Sequence, residues 1–221
     1  MSDVTALYYT ANKIPEAFAK KVRDHFSTTF PNVPVVSVSQ KPMDFGENIC
    51  LGDIGCSVYN TYLQVYEGAK RAKTKYVVCL EDDTLLSPEH VAHEPPMDKF
   101  HYNLSFWRIK RDVYYTLYRR AMSGCVASTE LMVKTLGDRY AKYPTPESAA
   151  HLRFFGEPGR FEQFMALPRP GIDVFRTNMP VITFRHTYGL SKAEGPGTRC
   201  IVAIYIPGWG RAIDLWRRFM E

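Results

Sequence analysis

The most constraining feature of this sequence is the alternation of hydrophobic periods in its first eighty residues. Val4–Tyr9 (VTALYY) is β-branched and aromatic, the composition of a strand. From Pro15, placed as a first helical residue, the period changes, and Phe18, Val22, His25 and Phe26 recur at helical spacing. Pro34–Val38 (PVVSV) returns to strand composition, and residues 39–56, with Gly46, Gly52 and Gly55, are expected as a loop. Ser57 then caps a helix carrying Val58, Tyr62, Val65, Tyr66, Ala69 and Ala72 on one face. Tyr76–Leu80 (YVVCL) is an unbroken apolar run, the pattern of a strand covered on both faces. Strand–helix–strand–helix–strand order requires an α/β layer structure with a largely parallel sheet, because parallel neighbours need crossovers and the helices supply them.

Beyond Leu80 the pattern loosens. Ser123–Ala127 (SGCVA) has strand composition, and Ser128 or Thr129 caps a helix through Leu131, Met132 and Leu136 toward Tyr140. Residues 143–170 are rich in Pro and Gly, which predicts irregular structure with one short helix at Phe161–Ala166. Pro180–Phe184 (PVITF) and Cys200–Ile206 (CIVAIYI) are strands by composition, and Gly210–Glu221 has the spacing of a basic amphipathic helix. With 221 residues, 45% hydrophobic and 23% charged, the chain is expected to form one domain with a real core, which excludes disordered and collagen-like classes.

No stretch approaches the ~18 apolar residues of a membrane span. MSDVTALYY also lacks a signal peptide's basic-then-apolar layout, so a soluble, cytoplasmic protein is expected. Cys50, Cys56, Cys79, Cys125 and Cys200 are odd in number and form no C-x-x-C, which fits reduced thiols rather than a disulfide framework or zinc knuckle. The net charge of +5 is unevenly placed. Residues 1–110 carry 12 Lys/Arg against 13 Asp/Glu; residues 111–221 carry 16 against 10, and 13 of those 16 are Arg. Guanidinium forks grip oxyanions at two points, so the second half suits phosphate or another polyanion, although a solvated basic surface accounts for the same numbers.

The chemistry concentrates at Glu81, Asp82 and Asp83, which follow YVVCL directly. An α/β sheet opens its ligand crevice at the carboxyl ends of its strands. Three adjacent carboxylates repel one another, so a cation or hydrogen bonds must offset them. A divalent Mg²⁺ or Mn²⁺ shared with a diphosphate does this through hard oxygen ligands. The alternative is a solvated acidic turn before Ser87-Pro88, and the apolar strand leading into the acids argues against it.

From Gly55 to Val91 the sequence reads G-C-S-V-Y-N, then G-A-K, then Y-V-V-C-L-E-D-D-T-L-L-S-P-E-H-V. This stretch resembles the GT-A glycosyltransferases, particularly the family-2-like group. There a small-residue turn and an Asn open a helix, Ala-Lys or Ala-Arg closes it, and a strand delivers an acidic metal motif. Ser123-Gly-Cys-Val-Ala-Ser-Thr-Glu-Leu is similar to the acceptor-side strand and helix of that group. Gly156-Glu157 resembles its Glu-Asp pair before a Gly-containing strand, and His186 its late metal-site histidine. The resemblance covers about 185 residues. It implies a GT-A-like Rossmann-type α/β sandwich with a mostly parallel central sheet. Residues 1–221 would form a single such domain, with 1–91 as the nucleotide-sugar-binding half and 92–221 as the acceptor-side half with a basic C-terminal tail.

Carried over by position, the resemblance implies that Asp83 and His186 hold Mn²⁺ or Mg²⁺, while Thr10, Asn60, Glu81 and Asp82 bind a nucleoside-diphosphate sugar. The second acid of the Glu-Asp pair is Pro158 here, which cannot act as a general base. Glu157 then leads as the base, with Glu162 behind it and Arg153 and Arg160 as neighbours, and the stereochemical outcome stays open. Gly189–Gly197 stands where a loop closes over the donor. The acceptor is unspecified: the basic half admits a modified DNA base, and the helix at Gly210–Glu221 could touch a membrane surface.

Other readings fit less well. A haloacid-dehalogenase-type phosphatase would carry its D-x-D on the first strand, whereas the nucleophile position here is Glu81. A sugar nucleotidyltransferase would follow its first strand with a Gly-rich, Arg-containing loop, and this chain has Thr10-Ala-Asn-Lys-Ile-Pro. A non-catalytic polyanion-binding or nucleic-acid-binding module draws support from Arg119-Arg120, Arg217-Arg218 and the aromatics, but Tyr59, Tyr62 and Tyr66 sit at core-facing helical spacing. His90-x-x-His93 has no third metal ligand near it in sequence.

Overall fold

The computed structural model of the protein describes residues 3–110, 112–116, 120–152, 155–188 and 200–221. Arg119, Arg153 and the Gly189–Gly197 loop lie outside the described residues. The first eighty residues form β1 (Val4–Thr10), α1 (Glu16–Thr29), β2 (Val35–Ser39), β3 (Glu47–Cys50), α2 (Val58–Arg71) and β4 (Tyr76–Glu81). Ser57 caps α2 by accepting the Asn60 N–H at 3.1 Å. β3 is a correction to the expected loop at 39–56: the short, mostly polar ENIC has no strand signature of its own, yet it pairs in parallel along β2. It gets there through Gly46, whose φ of 66° and contact with the Val35 carbonyl leave no room for a Cβ.

After β4 come β5 (Thr84–Leu85), the single turn α3 (Pro88–Val91), and three strands with no counterpart in the sequence expectation: β6 (Lys99–Asn103), β7 (Phe106–Lys110) and β8 (Asp112–Thr116). Then follow β9 (Cys125–Ser128), α4 (Thr129–Lys142), α5 (Pro146–Ala149), β10 (Gly171–Phe175) and β11 (Val181–Phe184). Ser128 caps α4 by accepting the Leu131 N–H. The short helix expected at Phe161–Ala166 is a 3₁₀ turn at Glu162–Met165. The expected strand Cys200–Ile206 is divided into β12 (Cys200–Ala203) and β13 (Tyr205–Ile206), which join different sheets; β14 (Gly210–Arg211) and α6 (Ala212–Met220) complete the order.

The central sheet has seven strands in the order β10-β6-β9-β4-β1-β2-β3. It is parallel except for β9, which runs against both β4 and β6. The strands of residues 1–91 (β4, β1, β2, β3) fill one side of it and those of residues 92–221 (β10, β6, β9) the other, meeting where β4 pairs with β9. β1 alternates between two cores: Leu7 and Tyr9 meet α2 and α4 through Val65, Ala69, Met132 and Leu136, while Ala6 and Tyr8 join Phe26, Phe45, Val78 and Leu80. Each fully buried side chain of this size contributes roughly 1.5–3 kcal/mol. Gly68 lets α2 approach closely, since a Cβ there would come within 3.1 Å of Val38 Cγ2.

A second sheet, ordered β12-β8-β7-β11-β5, stands beside the first. Leu85, Ile109, Ile182 and Phe184 line one face of it and pack against Phe18 and Val22 of α1 and Leu215 and Phe219 of α6. The amphipathic face of α6 is therefore spent inside the molecule, which corrects its reading as a membrane-touching helix. Among the described residues no helix is long and apolar enough to cross a membrane. Cys79 and Cys125 are buried and, like Cys50 and Cys56, free.

Candidate active site

β4 runs buried through the middle of the sheet and then releases Glu81, Asp82 and Asp83 onto the floor of a cleft of about 280 Å³. One wall is the end of β1 and the loop after it, with Thr10 and Lys13; the other is the second sheet, with Arg108 and Thr183. His186 and Glu157 also line it. The chain passes from one sheet to the other within Asp82-Asp83, because Glu81 ends β4 and Thr84 begins β5. The Phe184 N–H donates to the Asp83 carbonyl at 3.0 Å and closes this seam.

Each acid has its own partner. Tyr9 OH donates to Glu81 Oε1 at 2.9 Å, Thr10 Oγ1 donates to Asp82 Oδ2, and Thr84 Oγ1 donates to Asp83 Oδ1 at 3.0 Å. Burial, followed by the Asp83 charge, raises Glu81 to about 8 against the hydrogen bonds from Tyr9 and Ser123. The same causes raise Asp82 to about 7 against its bond from Thr10. With so much carboxylate in one place, the floor is set up for a cation.

His186, from the turn after β11, places Nε2 3.1 Å from Asp83 Oδ2. Burial lowers its pKa, but the hydrogen bond and charge of Asp83, with Asp82 and Glu81 behind it, turn the net direction upward. The Tyr188 backbone N–H donates to His186 Nδ1 at 3.1 Å, so in the neutral ring the proton sits on Nε2 and is donated to Asp83. Among the described residues no three His, Cys, Asp or Glu side chains form a metal-holding group. Asp83 and His186 are an oxygen and a nitrogen donor of the kind a divalent cation accepts, and a cation there would need its remaining ligands from outside the protein. Ligation by His186 Nε2 would move the ring proton to Nδ1 and give up the Tyr188 bond.

Glu157 is held by the backbone on either side of it. Arg139 donates from Nη1 to the Gly156 carbonyl at 2.7 Å, and Tyr102 OH donates to the Pro158 carbonyl at 2.6 Å. Arg160 donates to Glu157 Oε2 at 2.9 Å, and Glu157 is among the residues that line the cleft. Gly156 is needed because a Cβ there would overlap the Phe161 ring. The Pro158 carbonyl is thereby a fixing point beside Glu157.

Two expected site residues are not in the cleft. Glu162 is 1% exposed and locked to Arg139, which donates through Nε at 2.9 Å and also through Nη2; a carboxylate so enclosed cannot reach an acceptor hydroxyl. Its place is behind Glu157, holding the arginine that pins Gly156. Asn60 is 7% exposed and donates to the Ile54 and Gly55 carbonyls, shaping the turn before α2 rather than touching a donor. Lys13, Gln64, Arg108 and Thr183 are cleft residues that the sequence reading missed. Gln64 donates its amide to the Thr10 and Val38 carbonyls at 2.7 and 3.1 Å, fastening α2 to the ends of β1 and β2. It was not among the residues read as that helix's buried face, because its pairing depends on sheet order.

No protein-family model matches the chain, and no curated protein matches it. Among solved structures it is similar to a nucleotidyl transferase from Methanothermobacter thermautotroptrophicus, at 11% identity over 61% of this chain and 75% of that one, with a TM-score of 0.42. It is similar also to a glycosyltransferase involved in the glycosylation of the major capsid of PBCV-1, at 9% identity over 81% and 92%, TM-score 0.43. S. aureus TarS matches at 10% identity over 82% of this chain and 36% of its own, TM-score 0.45.

Proposed function

We propose that this protein is a metal-dependent glycosyltransferase that moves a sugar from a nucleoside-diphosphate donor to an acceptor hydroxyl. The observation that carries the reading is the release of three consecutive carboxylates from a buried parallel strand into a cleft, with Asp83 paired to His186 and Glu157 lining the same cleft. Asp83 and His186 would hold the cation, and Thr10 with Asp82 would meet the donor's ribose. A bound Mn²⁺ or Mg²⁺ supplies charge neutralisation to the departing diphosphate. Glu157 Oε1 accepts the proton of the acceptor hydroxyl as the new bond to the sugar's anomeric carbon forms and the bond to the diphosphate oxygen breaks. The fixed Gly156 and Pro158 carbonyls keep that carboxylate in register with the acceptor.

A thermal-shift panel of nucleoside diphosphates and nucleotide sugars, with and without Mn²⁺, tests this on wild type and Asp83→Asn. A ligand at 100 times its Kd stabilises the native state by about 2.7 kcal/mol, several degrees for a protein of this size. One nucleotide should raise the melting temperature only with Mn²⁺, and Asp83→Asn should lose that shift while melting normally on its own. Full turnover by Asp83→Asn would sink the assignment.

A further inference from the structure

We infer that His90, His93 and His101 form an acid-sensitive latch at the place where two strands of the central sheet cross to the second sheet. The inference goes beyond the transferase reading and does not depend on it.

β6 ends at Asn103 and β7 begins at Phe106; β10 ends at Phe175 and β11 begins at Val181. β6 and β10 are parallel neighbours in the central sheet, and β7 and β11 are parallel neighbours in the second, so the two crossings run side by side. Hydrogen bonds tie them together. The Leu104 N–H donates to the Phe175 carbonyl and the Val181 N–H to the Ser105 carbonyl, each at 2.9 Å. The Thr177 N–H donates to Ser105 Oγ at 3.1 Å, and the Asn103 amide donates to Thr177 Oγ1 at 3.0 Å.

α3 and the residues after it close over this junction. Glu89 accepts the Asn178 N–H at 2.6 Å. The Asn103 amide that reaches Thr177 also donates to His90 Nδ1 at 3.3 Å, so neutral His90 carries its proton on Nε2. His93 lies flat on Phe175, with ring centroids 3.7 Å apart and planes 6° from parallel, and its Nε2 is 3.0 Å from His101 Nδ1.

This arrangement has little room for added protons. His90 Nδ1 is already an acceptor, and the His93–His101 contact holds one hydrogen. His90 Nε2 and His101 Nε2 are buried without a hydrogen-bond partner among the described residues. A proton on His90 Nδ1 would set it against the Asn103 amide and release Thr177. One proton added to the His93–His101 pair leaves its bond intact; a second would make two N–H groups face each other beneath the Phe175 contact. Asp173, opposite His101 on β10, favours the charged ring, as do Asp3 and Glu94, which line a cavity with His93. Lys99, 3.7 Å from Asp173, and Arg176, next after Phe175, add positive charge, and Glu89 is committed to Asn178. Burial is the leading influence on all three rings and lowers each of them. Once the junction opens, the rings protonate near the ordinary histidine value of about 6.5. The latch is therefore closed above that pH and loosens below it. His186 follows β11 by two residues, so the junction bears on the cleft through that strand.

Amide hydrogen exchange on the full chain at about pH 7.5 and about pH 5, corrected for the intrinsic rate at each pH, tests the latch. Protection of β10 and of residues 176–181 should fall about tenfold or more between the two, the linkage of one histidine that titrates normally only when open, while β1 and β4 keep theirs. His93→Phe combined with His90→Phe, which keeps rings beside Phe175, should hold the protection of β10 at both pH values. Equal protection of wild type at both pH values, a loss shared by β1 and β4, or the same local loss in the double variant overturns the latch. Should the double variant melt early, the ring nitrogen signals of wild type decide. All three rings titrating below about 6.5, with His90 Nδ1 unprotonated at about pH 5, support the latch; any of the three titrating at or above that value, or His90 Nδ1 protonated at about pH 5, overturns it.

Discussion

Glu162 and Glu157 lie five positions apart in sequence and do opposite work, and only their surroundings distinguish them. Glu162 is enclosed with Arg139, whose guanidinium also lies over the Tyr62 and Phe155 rings and reaches the Gly156 carbonyl. Removing one partner of a buried pair strands the other charge, at a cost of about 3–5 kcal/mol. Glu162→Ala should therefore lower stability by that amount in urea unfolding, while nucleoside-diphosphate affinity of the folded protein stays near wild type. A stability change under about 1 kcal/mol would mean that Arg139 finds another anion. The sequence could nominate both glutamates, since each has an arginine nearby, but burial is a property of the assembled core. The position of Asp83 was legible for a different reason: following an apolar strand, it lies at that strand's carboxyl end whatever the rest of the fold does.

The elements that periodicity revealed are those whose burial is strong and regular, such as β1 with all seven residues buried, β4, and the apolar faces of α1, α2 and α4. β6 escaped notice because KFHYN interleaves Phe100 and Tyr102 with polar residues over five positions, and His101 and Asn103 are buried for reasons that only the neighbouring elements supply. There α3, β6 and β10 bring together His90, His93 and His101 around Phe175. His93 Nε2 is 3.0 Å from His101 Nδ1, so a third histidine does join the His90-x-x-His93 pair, though the group does not form a metal-holding set. Burial, then the nearby His93, lowers His90 to about 3. The unfolded chain takes up that proton near pH 6.5, so the stability His90 contributes is present above this pH and lost as pH falls toward 3. His90→Phe, which keeps a ring beside Phe175, should flatten the acid limb of a plot of melting temperature against pH. Parallel acid limbs for the two proteins would show that His90 does not set it.

Over the whole molecule the opposite sign applies at the cleft. Glu81 is raised to about 8 and Asp82 to about 7, so each contributes stability that is present below its ordinary pKa and lost as pH rises through the raised one. In EDTA the melting temperature should fall between about pH 4 and about pH 8, and Mn²⁺ should raise it more at the alkaline end, where the floor is fully charged. An equal Mn²⁺ effect at both ends would place the ion elsewhere. What ties these acids to the rest of the protein is the passage of the chain from β4 to β5, bound across by the Phe184 N–H and the Asp83 carbonyl. The acids lie on the line between the two sheets and His186 follows β11 of the second, so any change in the angle between the sheets would be felt first at the contact of Asp83 with His186.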